Sequence, residues 1–173
     1  MSMKRTAVIV VLVFAAMAGS CSNDANDETP APSSSPKATP KAVPLGGTHK
    51  MGTIVMTPAG SRITITAWVR KAPERSEAPG PGQVYESIGV GFCAGPEVDV
   101  TGRELVHLFS LELPNGNRVA PDSATGKKEL RERGRIAPGK CLIAAIVFQV
   151  GGGTKPAFVV FESDGPVTKW KVP

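Results

Sequence analysis

The stretch that most constrains this chain is Cys141-Leu-Ile-Ala-Ala-Ile-Val-Phe-Gln-Val150, the most continuous apolar run in its folded part. Ala137-Pro-Gly-Lys140 leads into it and Gly151-Gly-Gly153 leads out. A membrane span takes about 20 apolar residues, so this run is too short to cross a bilayer. Turn residues on both sides and a length near ten residues predict a central strand buried on both faces.

The flanking pattern is also that of strands. Arg62-Ile-Thr-Ile-Thr-Ala-Trp-Val-Arg70 alternates, with Ile63, Ile65, Ala67 and Val69 on one face and Thr64, Thr66 and Trp68 on the other. Met51–Met56 is expected to be its hairpin partner, turned at Pro58-Ala-Gly60. In Gln83–Cys93, Val84, Ile88, Val90 and Phe92 share a face opposite Tyr85, Ser87, Gly89, Gly91 and Cys93. The two glycines leave room for a close neighbour. Leu105–Leu113 reads as a further strand, with His107 in phase with Leu105, Phe109 and Leu111, which predicts a packed histidine at the edge of the core. Lys155–Phe161 and Val167–Val172 complete the series, and no stretch carries a persuasive helical period. Seven to nine short strands punctuated by Gly and Pro predict an all-β sandwich or barrel, with the sandwich favoured.

The amino-terminal segment is of another kind. Lys4 and Arg5, an apolar run from Ala7 to Ala18 and the small residues Gly19-Ser20 make residues 1–20 a secretory signal peptide. The residue that follows is Cys21, and the segment resembles the lipobox of bacterial lipoproteins. That resemblance implies diacylglycerol on Cys21, cleavage before it and further acylation of the new amino terminus. Ala18 departs from the Leu or Val preferred there.

Residues 21–50 carry Pro30, Pro32, Pro36, Pro40 and Pro44 among Ser, Asn, Asp, Ala, Thr and Lys, with no Phe, Tyr or Trp. Such a tract cannot bury enough apolar surface to order itself and serves as a semi-stiff spacer. Residues 51–173 are long enough for one domain with its own core.

The full chain has 20 basic and 15 acidic side chains; loss of Lys4 and Arg5 leaves a mature chain of about +3. That is too little, and too interspersed, for nucleic-acid binding. Lys127–Arg135 holds acids among its bases and is expected to be a solvated loop or edge. Cys93 and Cys141 in an exported domain are expected to form a disulfide, and no Cys-x-x-Cys spacing marks a redox dithiol.

Several segments occur in a familiar order: Val84-Tyr-Glu-Ser-Ile-Gly-Val90, Phe109-Ser-Leu-Glu-Leu-Pro-Asn-Gly116, Ile136-Ala-Pro-Gly139, Val147-Phe-Gln-Val150 and Lys155-Pro156. Together they resemble the immunoglobulin-like domain of bacterial surface lipoproteins in domain-of-unknown-function family four-three-five-two, and the related secreted immunogenic antigens of mycobacteria. The resemblance spans about residues 52–162 and implies an antiparallel sandwich with no catalytic residues. Cys93-Ala-Gly-Pro96 stands where the family has an Asn-containing turn.

Catalytic patterns are sparse. His49 and His107 are the chain's two histidines, and no Gly-x-Ser-x-Gly elbow accompanies them. Glu97 and Asp99 share a strand face without a third group, so solvated carboxylates are expected. Gly89–Gly95 lacks phosphate-loop spacing and a following helix. His49 and Met51, with Met56 nearby, are imidazole and thioether ligands of the kind that suits Cu(I). The sequence therefore predicts a non-enzymatic, lipid-anchored module, without a cofactor, on the extracytoplasmic face of a bacterial membrane. An envelope protein or cell-wall component would be its partner, through loops such as Ala72–Gly82 and Gly126–Arg135. The alternative is a small-ligand or copper carrier using His49, Met51 and Met56.

Overall fold

The computed structural model describes residues 41–70, 78–123 and 129–173. The expected signal peptide, Cys21, the expected spacer as far as Pro40 and parts of the two candidate contact loops lie outside the described residues. Ala38–Pro173 form one compact unit with its own apolar core.

Two five-stranded sheets face each other. Sheet A runs in the order β1 (Val43–Pro44), β3 (Ile54–Met56), β4 (Arg62–Arg70), β5 (Gln83–Cys93), β10 (Cys141–Gly151). Sheet B runs β2 (Gly47–Lys50), β12 (Thr168–Lys171), β11 (Phe158–Phe161), β7 (Phe109–Glu112), β8 (Arg118–Val119). A third ladder pairs β6 (Val100–Thr101) with β9 (Arg135–Ile136). The all-β sandwich is thus as the sequence predicts, and eight of its strands are longer than two residues. The sheets are mixed rather than wholly antiparallel, because β1 joins β3 and β2 joins β12 in parallel. Both added strands precede residue 51, so the sheets take in residues that the sequence pattern gives to the spacer.

The core lies between the sheets. Val55, Ile63, Ile65, Ile88, Val90 and Phe148 come from sheet A; Phe109, Leu111, Val159, Phe161 and Trp170 come from sheet B, all essentially buried. Trp170 is the largest of them, and its indole N–H donates to the Thr53 carbonyl at 3.1 Å, so its polar edge is satisfied.

Four expectations need correction. First, β10 is not central: it forms the edge of sheet A, and its outward Ile143 is 73% exposed. Its far half is covered by backbone contacts, with Glu129 bridging Ala145 and the Asp122 N–H donating to the Val147 carbonyl. Second, β4 does not alternate throughout. The register passes from Ile65–Val90 directly to Ala67–Gly89, so Thr66 is the extra residue of a bulge. Beyond it Trp68 turns inward beside Ile88, while Ala67 and Val69 turn outward.

Third, Leu105–Leu108 is not strand. Gly102–Val106 forms a short helix, α1, entered through a capping box: the Glu104 N–H donates to Thr101 Oγ1 and the Thr101 N–H donates to Glu104 Oε2. Its buried Leu105 and Val106, together with Phe109, fit one helical turn as well as they fit a pleat. Fourth, the basic segment is not simply solvated. A 3₁₀ turn at Leu130–Glu132 carries Leu130 fully into the core and buries Glu129.

Candidate functional site

The disulfide joins Cys93 and Cys141, which face each other across the β5–β10 ladder with Cα atoms 4.0 Å apart. It lies within one sheet, on its outer face, rather than crossing the core. Register places two rows of side chains there: Met56, Arg62, Cys93 and Cys141, then Ile54, Thr64, Gly91 and Ile143. A groove of about 560 Å³ lies over Gly91 between Thr64 and Ile143. Glycine keeps its floor open, since a Cβ at Gly91 would stand 2.9 Å from Thr64 Cγ2 and would push that side chain aside.

A second concavity, about 340 Å³, opens between the sheets at one end of the sandwich. Ile63, Phe92, Leu105 and Phe161 line its depth; Ser163 and Asp164 stand among its remaining walls. Both spaces are walled largely by apolar side chains.

Among the described residues the most deeply buried acidic side chain is Glu86, at an inward position of β5 between Tyr85 and Ser87. Its Oε2 accepts from the Trp68 indole N–H at 3.1 Å, and Arg70 Nε stands 3.9 Å from Oε1, too far for a hydrogen bond. Burial raises its carboxyl above the ordinary range, while the Trp68 hydrogen bond and the Arg70 charge act in the opposite direction. Sequence reading missed this residue, although Glu86 interrupts the apolar face of Val84, Ile88 and Val90.

The residues singled out from sequence are dispersed. His49 lies on β2, its Nε2 2.8 Å from the Gly46 carbonyl oxygen and its ring tilted against Trp170 at 6.4 Å. Met51 packs against the core from the following turn. Met56 projects from the outer face of sheet A, away from the sheet that holds His49. His107 is no core histidine: it caps the carboxyl end of α1 and is exposed. Asp99 pairs with Arg135, whose Nε donates to Oδ1 at 2.8 Å and whose Nη2 stands 2.6 Å from Oδ2. That hydrogen bonding holds the Asp99 carboxyl below the ordinary range. Among the described residues no three His, Cys, Asp or Glu side chains gather as a metal cluster.

No family model matches the chain, and no curated protein matches it. Solved structures do. A secreted protein of Mycobacterium tuberculosis, MPT63, superposes with a TM-score of 0.57 at 16% identity, over 74% of this chain and 98% of its own. An uncharacterised β-sandwich protein of Clostridium difficile 630 superposes with a TM-score of 0.52 at 12% identity, over 79% of this chain and 100% of its own. The likeness is one of fold.

Proposed function

We propose that this chain is a non-enzymatic, lipid-anchored binding or structural module of a bacterial cell envelope, held at the extracytoplasmic face through Cys21. The observation that carries the reading is the Cys93–Cys141 disulfide behind a signal-like segment, since such bonds persist in oxidising compartments. The secreted mycobacterial neighbour supports the same side of the membrane. The motif order also supports kinship with family four-three-five-two, its segments falling on β5, β7, β9, β10 and the approach to β11. For the non-enzymatic part the support is the spread of the chemistry: His49 against Trp170, His107 at a helix end, and Asp99 held by Arg135. The partner in this reading is an envelope protein or cell-wall component.

The test is the intact mass of the native protein extracted from membranes, before and after reduction. Cleavage at Cys21 with added diacylglycerol and acyl groups, plus two hydrogens gained on reduction, is the expected result. An unlipidated mass recovered from the medium would sink the anchor.

A further inference from the structure

The two outer faces of the sandwich differ in kind. On sheet B the outward side chains form an ionic lattice: Glu112 takes Lys169 Nζ at 2.7 Å, and Arg118 reaches Glu162 at 2.7 Å. On sheet A the outward rows of β3, β4, β5 and β10, from Met56–Cys141 through Val69–Val147, contain no acid and one base, Arg62. Among the described residues, three of the four large apolar side chains left exposed lie on this face: Ile143 at 73%, Met56 at 45% and Val69 at 44%. The fourth, Val167, lies elsewhere at 39%.

Arg62 and Lys140, which immediately precedes β10, are exposed, and neither makes an ion pair with a described residue. The exposed part of this face, with Ile143, Met56 and Val69, carries Arg62 and no acid, has Lys140 at the start of β10, and gives way to Asp122 only beyond the buried Val147, at Gln149. It matches a surface that is apolar in depth and anionic on top. β1 pairs with β3 at the edge of sheet A.

We propose that the outer face of sheet A rests on an anionic bilayer, with Ile143, Met56 and Val69 in the interfacial region and Arg62 and Lys140 on lipid phosphates. The inference deepens the envelope reading above and rests on it for access to a membrane. The lipid expected on Cys21 carries several acyl chains and holds the chain at the membrane by itself, so this contact fixes how the domain lies on the bilayer.

The experiment uses the mature chain with Cys21→Ser, so that no lipid is attached, and vesicles of phosphatidylcholine alone or in equal parts with phosphatidylglycerol. Co-sedimentation is expected with the anionic vesicles and to weaken as salt rises. Ile143→Asp is expected to lower partitioning by roughly tenfold, and Arg62→Gln by about fivefold. Val167→Asp, an equally polar change on another surface, is expected to leave it unaltered. Ile143 is solvent-exposed, so its variant keeps the fold, and circular dichroism verifies that. Absence of vesicle binding, or equal losses for the Ile143 and Val167 variants, overturns the proposal. A dimer in sedimentation that Ile143→Asp abolishes, without vesicle binding, also overturns it by assigning the face to a second copy. Because the tested chain carries no lipid, a failure here is separate from a failure of lipidation, which the intact mass reports.

Discussion

Replacing Cys93 and Cys141 together by Ala should destabilise the domain without altering its native structure. The two sulfurs lie on the outer face of sheet A, Cys141 exposed and Cys93 half-buried, so the truncation opens no core cavity. The β5–β10 ladder keeps eleven register pairs, and the inward Phe92 and Leu142 beside the bond remain in place. The loss therefore falls on the unfolded chain, which regains the freedom of a closed loop with sequence separation 48. Loop-closure entropy puts that at about 4 kcal/mol, a large share of the stability of a small domain. For a unit of this size the midpoint of thermal unfolding should fall by roughly 10–20 °C. Differential scanning calorimetry with a urea titration reads both quantities. The urea slope should rise slightly, because an uncrosslinked chain exposes more surface. If the oxidised protein and the variant melt together, the unfolded chain already holds β5 and β10 side by side, and the entropic reasoning is refuted. Chemical-shift changes spread through both sheets would refute the claim that the native state is indifferent to the bond.

Glu86 links stability to pH with a definite sign. Its folded-state pKa is raised, so the native state binds the proton more tightly than the unfolded chain does. The associated stability is complete below the ordinary carboxyl pKa and falls as pH rises through the raised value. Urea midpoints taken across the acidic range should show this decline in the wild type, and Glu86→Gln should flatten it. Gly102→Ala should unfold the α1 region, since a Cβ there would lie against the Leu130 carbonyl oxygen and 2.5 Å from that of Arg133. A cost of about 3 kcal/mol or more is expected from overpacking against backbone, read as a lowered urea midpoint.

Much of the architecture was legible from period-two alternation, because the inward residues of β3, β5, β11 and the first half of β4 obey it. Where it misled, the reasons are local. Thr66 adds one residue to β4, and a single insertion moves every later side chain to the other face, which no count of apolar residues reveals. At Leu105 and Val106 hydrophobic spacing suits strand and helix alike; the deciding signal was Thr101 followed by Glu104, which was there to be read. The apolar run of β10 suggested the middle of a sheet, yet its cover comes from Asp122 and Glu129, whose placement depends on tertiary contacts. The pairing of Cys93 with Cys141 was legible from number and compartment. The exposed apolar patch around Ile143 and Met56 was not, because it exists only once four strands are in register.

The parallel strand β2 has a mechanical meaning. Its four residues pair in parallel with Thr168–Lys171, so the first strand of sheet B in the sequence and its last are laced side by side. Tension applied between the chain entering β2 and the chain leaving β12 pulls these two parallel strands lengthwise past each other. All the hydrogen bonds of that ladder then bear the force at once, rather than opening one after another. Trp170, buried with its indole bonded to Thr53, is the bolt that would have to slide with them.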